Sequence, residues 1–162
     1  MKNFRIDTNT DFKCLNCRGY VSSAEMLAGV GNRNHCPYCL WSRHLDLFEA
    51  GDRLAACKAP MRPMGLTLKR SRNKYASAVS GELMLVHLCT ECDRISINRI
   101  AADDVPEMII EVFEASLTES VWLIQQNKDL GIKLLGDESF DIVYRQLYGQ
   151  AINPVLLAVP II

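Results

Sequence analysis

The sequence has no long hydrophobic run. Its greasiest stretch, Val155 to Ile162, is interrupted by Pro160 and is far shorter than the ~18 apolar residues that cross a bilayer, so no transmembrane helix is expected. The opening residues, Met1 to Asp7, lack the apolar core and small-residue cleavage site of a secretory signal, and a cytoplasmic location is expected. No repeat of fixed period and no low-complexity tract is present. Apolar residues make up 49% and charged residues 23%, a balance that excludes wholesale disorder. At 162 residues, one compact body with a helical appendage is expected.

Cysteine is what the chain does have. Seven is an odd number, and six fall in three Cys-x-x-Cys pairs, a pattern poor for a disulfide framework and suited to tetrahedral metal ligation by reduced thiols. Cys14 and Cys17 are followed after eighteen residues by Cys36 and Cys39, the spacing of a zinc ribbon. Two residues between ligands allow a tight knuckle that aims both sulfurs at one ion, with backbone amides turned toward the thiolates. Four thiolates fill the shell and leave no place for an activated water, so this ion is structural.

The third pair, Cys89 and Cys92, needs two further ligands. Cys57 is the remaining cysteine, and the fourth should be a histidine. His44, thirteen positions before Cys57, is preferred. His87 is the main competitor, although two ligands on the same side of one strand, His87 and Cys89, would crowd one ion. His35 is tied beside Cys36 and is better placed for hydrogen bonding around the first site. Two structural Zn2+ ions are therefore expected.

The run Arg33-Asn34-His35-Cys36-Pro37-Tyr38-Cys39 resembles the signature of the RNHCP domain family, and the resemblance continues through Asp46, Gly51-Asp52-Arg53, Met61-x-Pro63 and Asn98 to Asp104. It covers residues 11 to 104. The family is a small zinc-binding domain, so the resemblance implies metal and fold and transfers no activity. Asp93 stands where a glycine is expected in that family.

Charge is unevenly divided. Residues 1 to 105 hold fifteen Lys and Arg against eleven Asp and Glu, while residues 106 to 162 hold three against eight. Seven thiolates on two zinc ions would lower the front's net charge from +4 to about +1. From Lys58 to Gly81 there are six basic residues and no acidic one. Lys69, Arg70, Arg72, Lys74 and Tyr75 read as a basic finger that can follow a phosphate backbone and stack on a base. Arg33 and Arg99 are further candidate anion contacts. Most of the polar residues near the knuckles, Asn34, Asp46, Asp52, Arg53, Asn98, Asp103 and Asp104 among them, are expected to be internal struts for loops that lack sheet or helix partners.

Partial alternation over Met64–Arg70 and Glu82–Leu88 predicts a hairpin around a mobile Ser71–Gly81 loop. A long amphipathic helix is expected from Val105 to about Asn127, with Asp104 as N-cap and Glu107 completing a capping box. A shorter one should run from 137 or 138 to Tyr148, and the end of the chain from Asn153 should be extended. The expected fold is thus α+β: a zinc-ribbon domain with short antiparallel strands over residues 10–104, and an acidic helical extension, 105–162, packed on it. Two functions fit. The first is an RNA- or ribosome-associated binding module; the second is an adaptor that docks a protein partner through its C-terminal helices. Neither an enzyme, a membrane partner nor a small-molecule substrate is expected.

Overall fold

The computed structural model describes residues 9–70, 81–119 and 121–149. The chain opens with a short antiparallel pair, β1 (Phe12–Lys13) and β2 (Tyr20–Val21), which closes the turn bearing Cys14 and Cys17. One helical turn follows, α1 (Glu25–Ala28), ending on Gly29 at φ 67°, a left-handed position that glycine adopts without a Cβ clash. Four strands then form an antiparallel sheet in the order β3 (Ser42–Arg43), β4 (Pro60–Arg70), β5 (Gly81–Cys89), β6 (Ile95–Arg99). The fold is α+β, as expected.

The hairpin is β4–β5, in register from Met61 opposite Cys89 to Arg70 opposite Gly81. Its connecting loop, expected to be mobile, lies outside the described residues. Alternation in β5 is only partial because both of its faces are covered: Leu83, Met84, Leu85 and Val86 are all buried. On one face Leu66, Leu83 and Leu85 pack against Ile109, Ile110 and Phe113 of α2 (Pro106–Ser116) and Val143 of α4 (Phe140–Tyr148). On the other, Met64, Val86, Leu88 and Ile95 meet Leu123 of α3 (Val121–Asp129) and the Ile132–Leu134 segment. The helices therefore clasp the hairpin from both sides, and each large apolar side chain so buried contributes about 1.5–3 kcal/mol. A bulge between Pro63 and Gly65 admits this packing. Gly65 has φ 155°, and a Cβ there would stand 3.0 Å from Cβ of Ser116 at the end of α2.

The single helix expected over 105–127 is two helices. Ser116 and Thr118 turn their hydroxyls back onto the carbonyls of Phe113 and Ala115, and Glu119 pairs with Arg62, so the chain leaves helical geometry after Ser116. Asp104 is not the N-cap, either. Val105 occupies that position without a side-chain cap, and Pro106 sits in the first turn. The shorter helix begins with a 3-10 turn at Asp137–Ser139 and continues as α4 to a left-handed Gly149. The extended end from Asn153 lies outside the described residues.

Asp104 instead anchors a buried network. One carboxylate oxygen lies 3.3 Å from Arg33 Nη2; the other lies 2.7 Å from His35 Nε2 and accepts from the Ala101 amide at 2.8 Å. Arg33 also donates to Asp103 at 2.7 Å and to the carbonyls of Ser22 and His35. The Arg33 side chain is wholly buried, so removing one partner strands a charge in a poorly solvated place. Asp104→Ala is expected to lower the free energy of unfolding by about 3–5 kcal/mol in chemical denaturation. By contrast, Arg145→Ala, which breaks an exposed i,i+4 pair with Asp141, should change it by about 0.5 kcal/mol or less.

Candidate metal centre

Three knuckles share one backbone plan. In each, the first cysteine's amide donates to the carbonyl five residues on: Cys14 to Gly19, Cys36 to Trp41 and Cys89 to Arg94, all at 2.9 Å. The residue after the second cysteine is left-handed in every case: Arg18 at φ 65°, Leu40 at 59° and Asp93 at 55°. Lys58, directly after Cys57, is left-handed too, at 54°. The conformation costs an L-residue about 1–2 kcal/mol, and its recurrence after ligand cysteines ties it to knuckle geometry. Asp93 can replace glycine because aspartate tolerates this region better than most side chains. Leu40 is held there by the core, where it is fully buried.

Cys14, Cys17, Cys36 and Cys39 come together with their ligand atoms all within 4.8 Å of one another, and His44, Cys57, Cys89 and Cys92 form a second set to the same limit. Cys14 and Cys39 sulfurs lie 3.6 Å apart, as do Cys17 and Cys36, and Cys57 and Cys89. With Zn–S bonds of about 2.3 Å, tetrahedral sulfurs stand about 3.8 Å apart, so both sets have the dimensions of a zinc shell. All seven cysteines are free thiols. Burial pushes the Cys36 thiol far above its ordinary pKa, and burial, opposed by the Arg94 amide, raises Cys92 to about 11. Hydrogen bonds shift Cys17 and Cys89 the other way, and a divalent cation is what makes thiolates clustered this closely stable.

His44 enters the second set from the end of β3, its Nδ1 3.2 Å from the Cys92 sulfur. Burial first, then the charges of Arg94 and Lys58, lower its pKa and keep it in the neutral, ligating form. His87 lies elsewhere. Its Nε2 donates to the Leu40 carbonyl at 2.7 Å and its Nδ1 faces the Asn98 amide nitrogen at 2.9 Å, so both ring nitrogens are occupied. Complete burial, followed by the nearby His35, lowers its pKa to about 3. His35 serves Asp104.

The expected anion contacts separate. Arg33, expected to meet an anion, is 1% exposed and saturated by Asp103, Asp104 and two carbonyls; it braces the fold and has no free edge. Arg99 is at the surface, bonded to Glu82. Lys69 is exposed at the end of β4. Arg70 closes that strand, while Arg72, Lys74 and Tyr75 lie outside the described residues.

Sequence reasoning overlooked the residues around His44. Arg43, Phe48 and Arg94 join it in lining a cleft of about 380 Å³ beside β6. They are scattered singly along the chain, with no spacing to mark them. The loop forming the outer wall is held by Asp52, whose carboxylate accepts from the amides of Leu47, Phe48, Glu49 and Leu54 at 2.9–3.1 Å. Those bonds keep its pKa well below the usual carboxylate range. Asn34 and Arg53 secure Asp46 behind it.

One set of four cysteines and one of three cysteines with a histidine, each closed by knuckles and without disulfides, define a protein with two structural zinc centres. The family model of the RNHCP domain matches residues 9–110, well over half of the chain, and the chain belongs to the RNHCP domain family. No curated protein and no solved structure matches it.

His44→Gln should reduce bound zinc from two ions to one per chain, measured by metal analysis of the purified protein, whereas His87→Gln should keep both and lose only stability. Arg18→Gly should raise unfolding free energy by about 0.5–1 kcal/mol, since glycine relieves the left-handed strain and returns part of the gain as chain entropy.

Proposed function

We propose that the protein is a binding module for RNA, free or within the ribosome, whose zinc centres hold a basic hairpin in place. The observation that carries this reading is the hairpin itself. Its last rung pairs Arg70 with Gly81, and the residues between them include Arg72, Lys74 and Tyr75. Its base is fixed from two directions. Cys89, at the far end of β5, belongs to the second metal set, and Gln146 of α4 accepts from the Leu83 amide and donates to the Gly81 carbonyl. The stretch from Lys69 to Gly81 has four cations and no acid, and on an anchored stem it suits a phosphate backbone, with Tyr75 supplying a face for an unstacked base.

Binding is favoured over catalysis because each tetrad supplies four protein ligands, which leaves no open coordination position for a reacting water. An adaptor that docks through its helices receives less support, because Ile109, Ile110 and Phe113 of α2 and Val143 of α4 are already buried against the sheet. No helix among the described residues is long and apolar enough to cross a membrane. A cytoplasmic site of action is part of the proposal.

Replacing Lys69, Arg70, Arg72 and Lys74 together by Gln should weaken RNA binding at unchanged zinc content. It should also reduce the slope of log K against log salt by about 0.7 for each phosphate no longer neutralised on a single strand. Affinity and slope equal to those of the parent protein in a fluorescence-anisotropy titration would eliminate the finger as the RNA-binding element.

A further inference from the structure

A cleft lies beside the second metal set. One wall is the strand β6, from Ile95 to Asn98; the other is the segment from Arg43 to Ala50. A second cavity, of about 300 Å³, shares Asn34, Asp46, Ala50, Ile97 and Asn98 with it and extends to Lys69 and Arg99. These two neighbouring cavities, the trough, reach from Lys69 at the loop end of the hairpin stem to His44.

Its walls carry an aromatic ring, guanidinium groups and other polar side chains. Phe48, on the rim, is 79% exposed, so its ring is open to solvent. Arg43 has no ion pair among the described residues, and its buried Nε has no hydrogen-bond partner. Arg94 lies nearby, positioned by the Leu47 carbonyl. Of the acids lining the cleft, Asp46 is already engaged by the Asn34 amide and lies 3.6 Å from the Arg53 guanidinium. Glu49 is the other acid on the wall. Ser96 and Asn98 of β6 also line it, with Ser96 Oγ 3.7 Å from Met61 Sδ and the Asn98 amide facing His87. The buried Nε2 of His44 also lacks a partner; with Nδ1 turned to the metal set, it is a donor awaiting an acceptor.

We propose that this trough is the specific subsite for single-stranded RNA, with one nucleotide held in the cleft. Its base lies on the face of Phe48, and its phosphate meets Arg43 and Arg94. The strand continues past Lys69 and Arg99 onto the hairpin. Arg43 shifts toward the phosphate on binding, which gives its orphaned Nε an acceptor. An open aromatic face and an unpaired guanidinium together suit a nucleotide better than an extended peptide, which would need apolar sockets at alternate positions. The proposal rests on the RNA reading and adds where and in what form the strand is held.

The test compares a short single-stranded RNA with its duplex, using the zinc-loaded full chain and fluorescence anisotropy. Phe48→Ala should weaken single-strand binding roughly 5- to 100-fold, the range expected for loss of one base stack, with its salt slope and its duplex affinity unchanged. Phe48→Trp should restore it. Arg43→Gln should weaken binding severalfold and reduce the salt slope by about 0.7. Zinc content confirms that each variant is folded, and amide resonances of Ala50, Ile97 and Asn98 should shift on addition of the single strand. Parental affinity for both Phe48→Ala and Arg43→Gln, with the four-residue hairpin variant weakened, overturns the trough and leaves the RNA reading standing. A parent protein that binds no RNA overturns both. RNA affinity untouched by Phe48→Ala while an extended peptide shifts the trough resonances assigns the site to a peptide and likewise overturns the proposal.

Discussion

Ligation by clustered sulfur is the constraint on which the rest of this structure depends. Eight ligand atoms from eight residues gather into two sets, and between them they fix both ends of the segment from Arg33 to His44. That segment has little regular structure, yet it is where the fold is knitted together. Arg33 and His35 reach the Asp103–Asp104 pair just ahead of α2, Leu40 enters the main core, its carbonyl receives His87, and Ser42 begins β3. Without the metal sets, these interactions would have to order a loop-rich chain by themselves, against a backbone entropy of about 1–2 kcal/mol for each residue held.

The helices contribute the other half of the core. Their apolar faces complete a sheet whose central strand has two sides to cover, which explains why an acidic segment so different in composition from the knuckles is packed against the hairpin. Metal organises one end of β5 and hydrocarbon the rest. The hairpin that carries the basic run is thus rigid at its stem for two independent reasons.

Much of this could be read from the chain. The Cys-x-x-Cys spacing carries the first metal set because a knuckle is a local object, and local geometry is written in local spacing. The second set was harder, since Cys57 and His44 stand alone and are brought to Cys89 and Cys92 by the pairing of β3, β4 and β5. The choice of His44 over His87 depends on Leu40 and Asn98 occupying the His87 ring, interactions that no periodicity reports. Arg33 illustrates the opposite error. A cation beside a knuckle suggests an anion outside, but its carboxylate partners arrive from residues 103 and 104. The break after Ser116 was invisible for a similar reason: apolar spacing runs through it, while hydroxyl groups and the Glu119–Arg62 pair decide the backbone.

The two metal sets differ in how much chain each must gather. The first closes within residues 14 to 41, a stretch containing two complete knuckles, and takes no ligand from the hairpin. The second draws on residues 44, 57, 89 and 92, so its shell cannot be finished until β5 has emerged and folded back. On a chain growing from its N-terminus, the first ion therefore has a home early, and the second seals the architecture late, after the whole basic hairpin has been made.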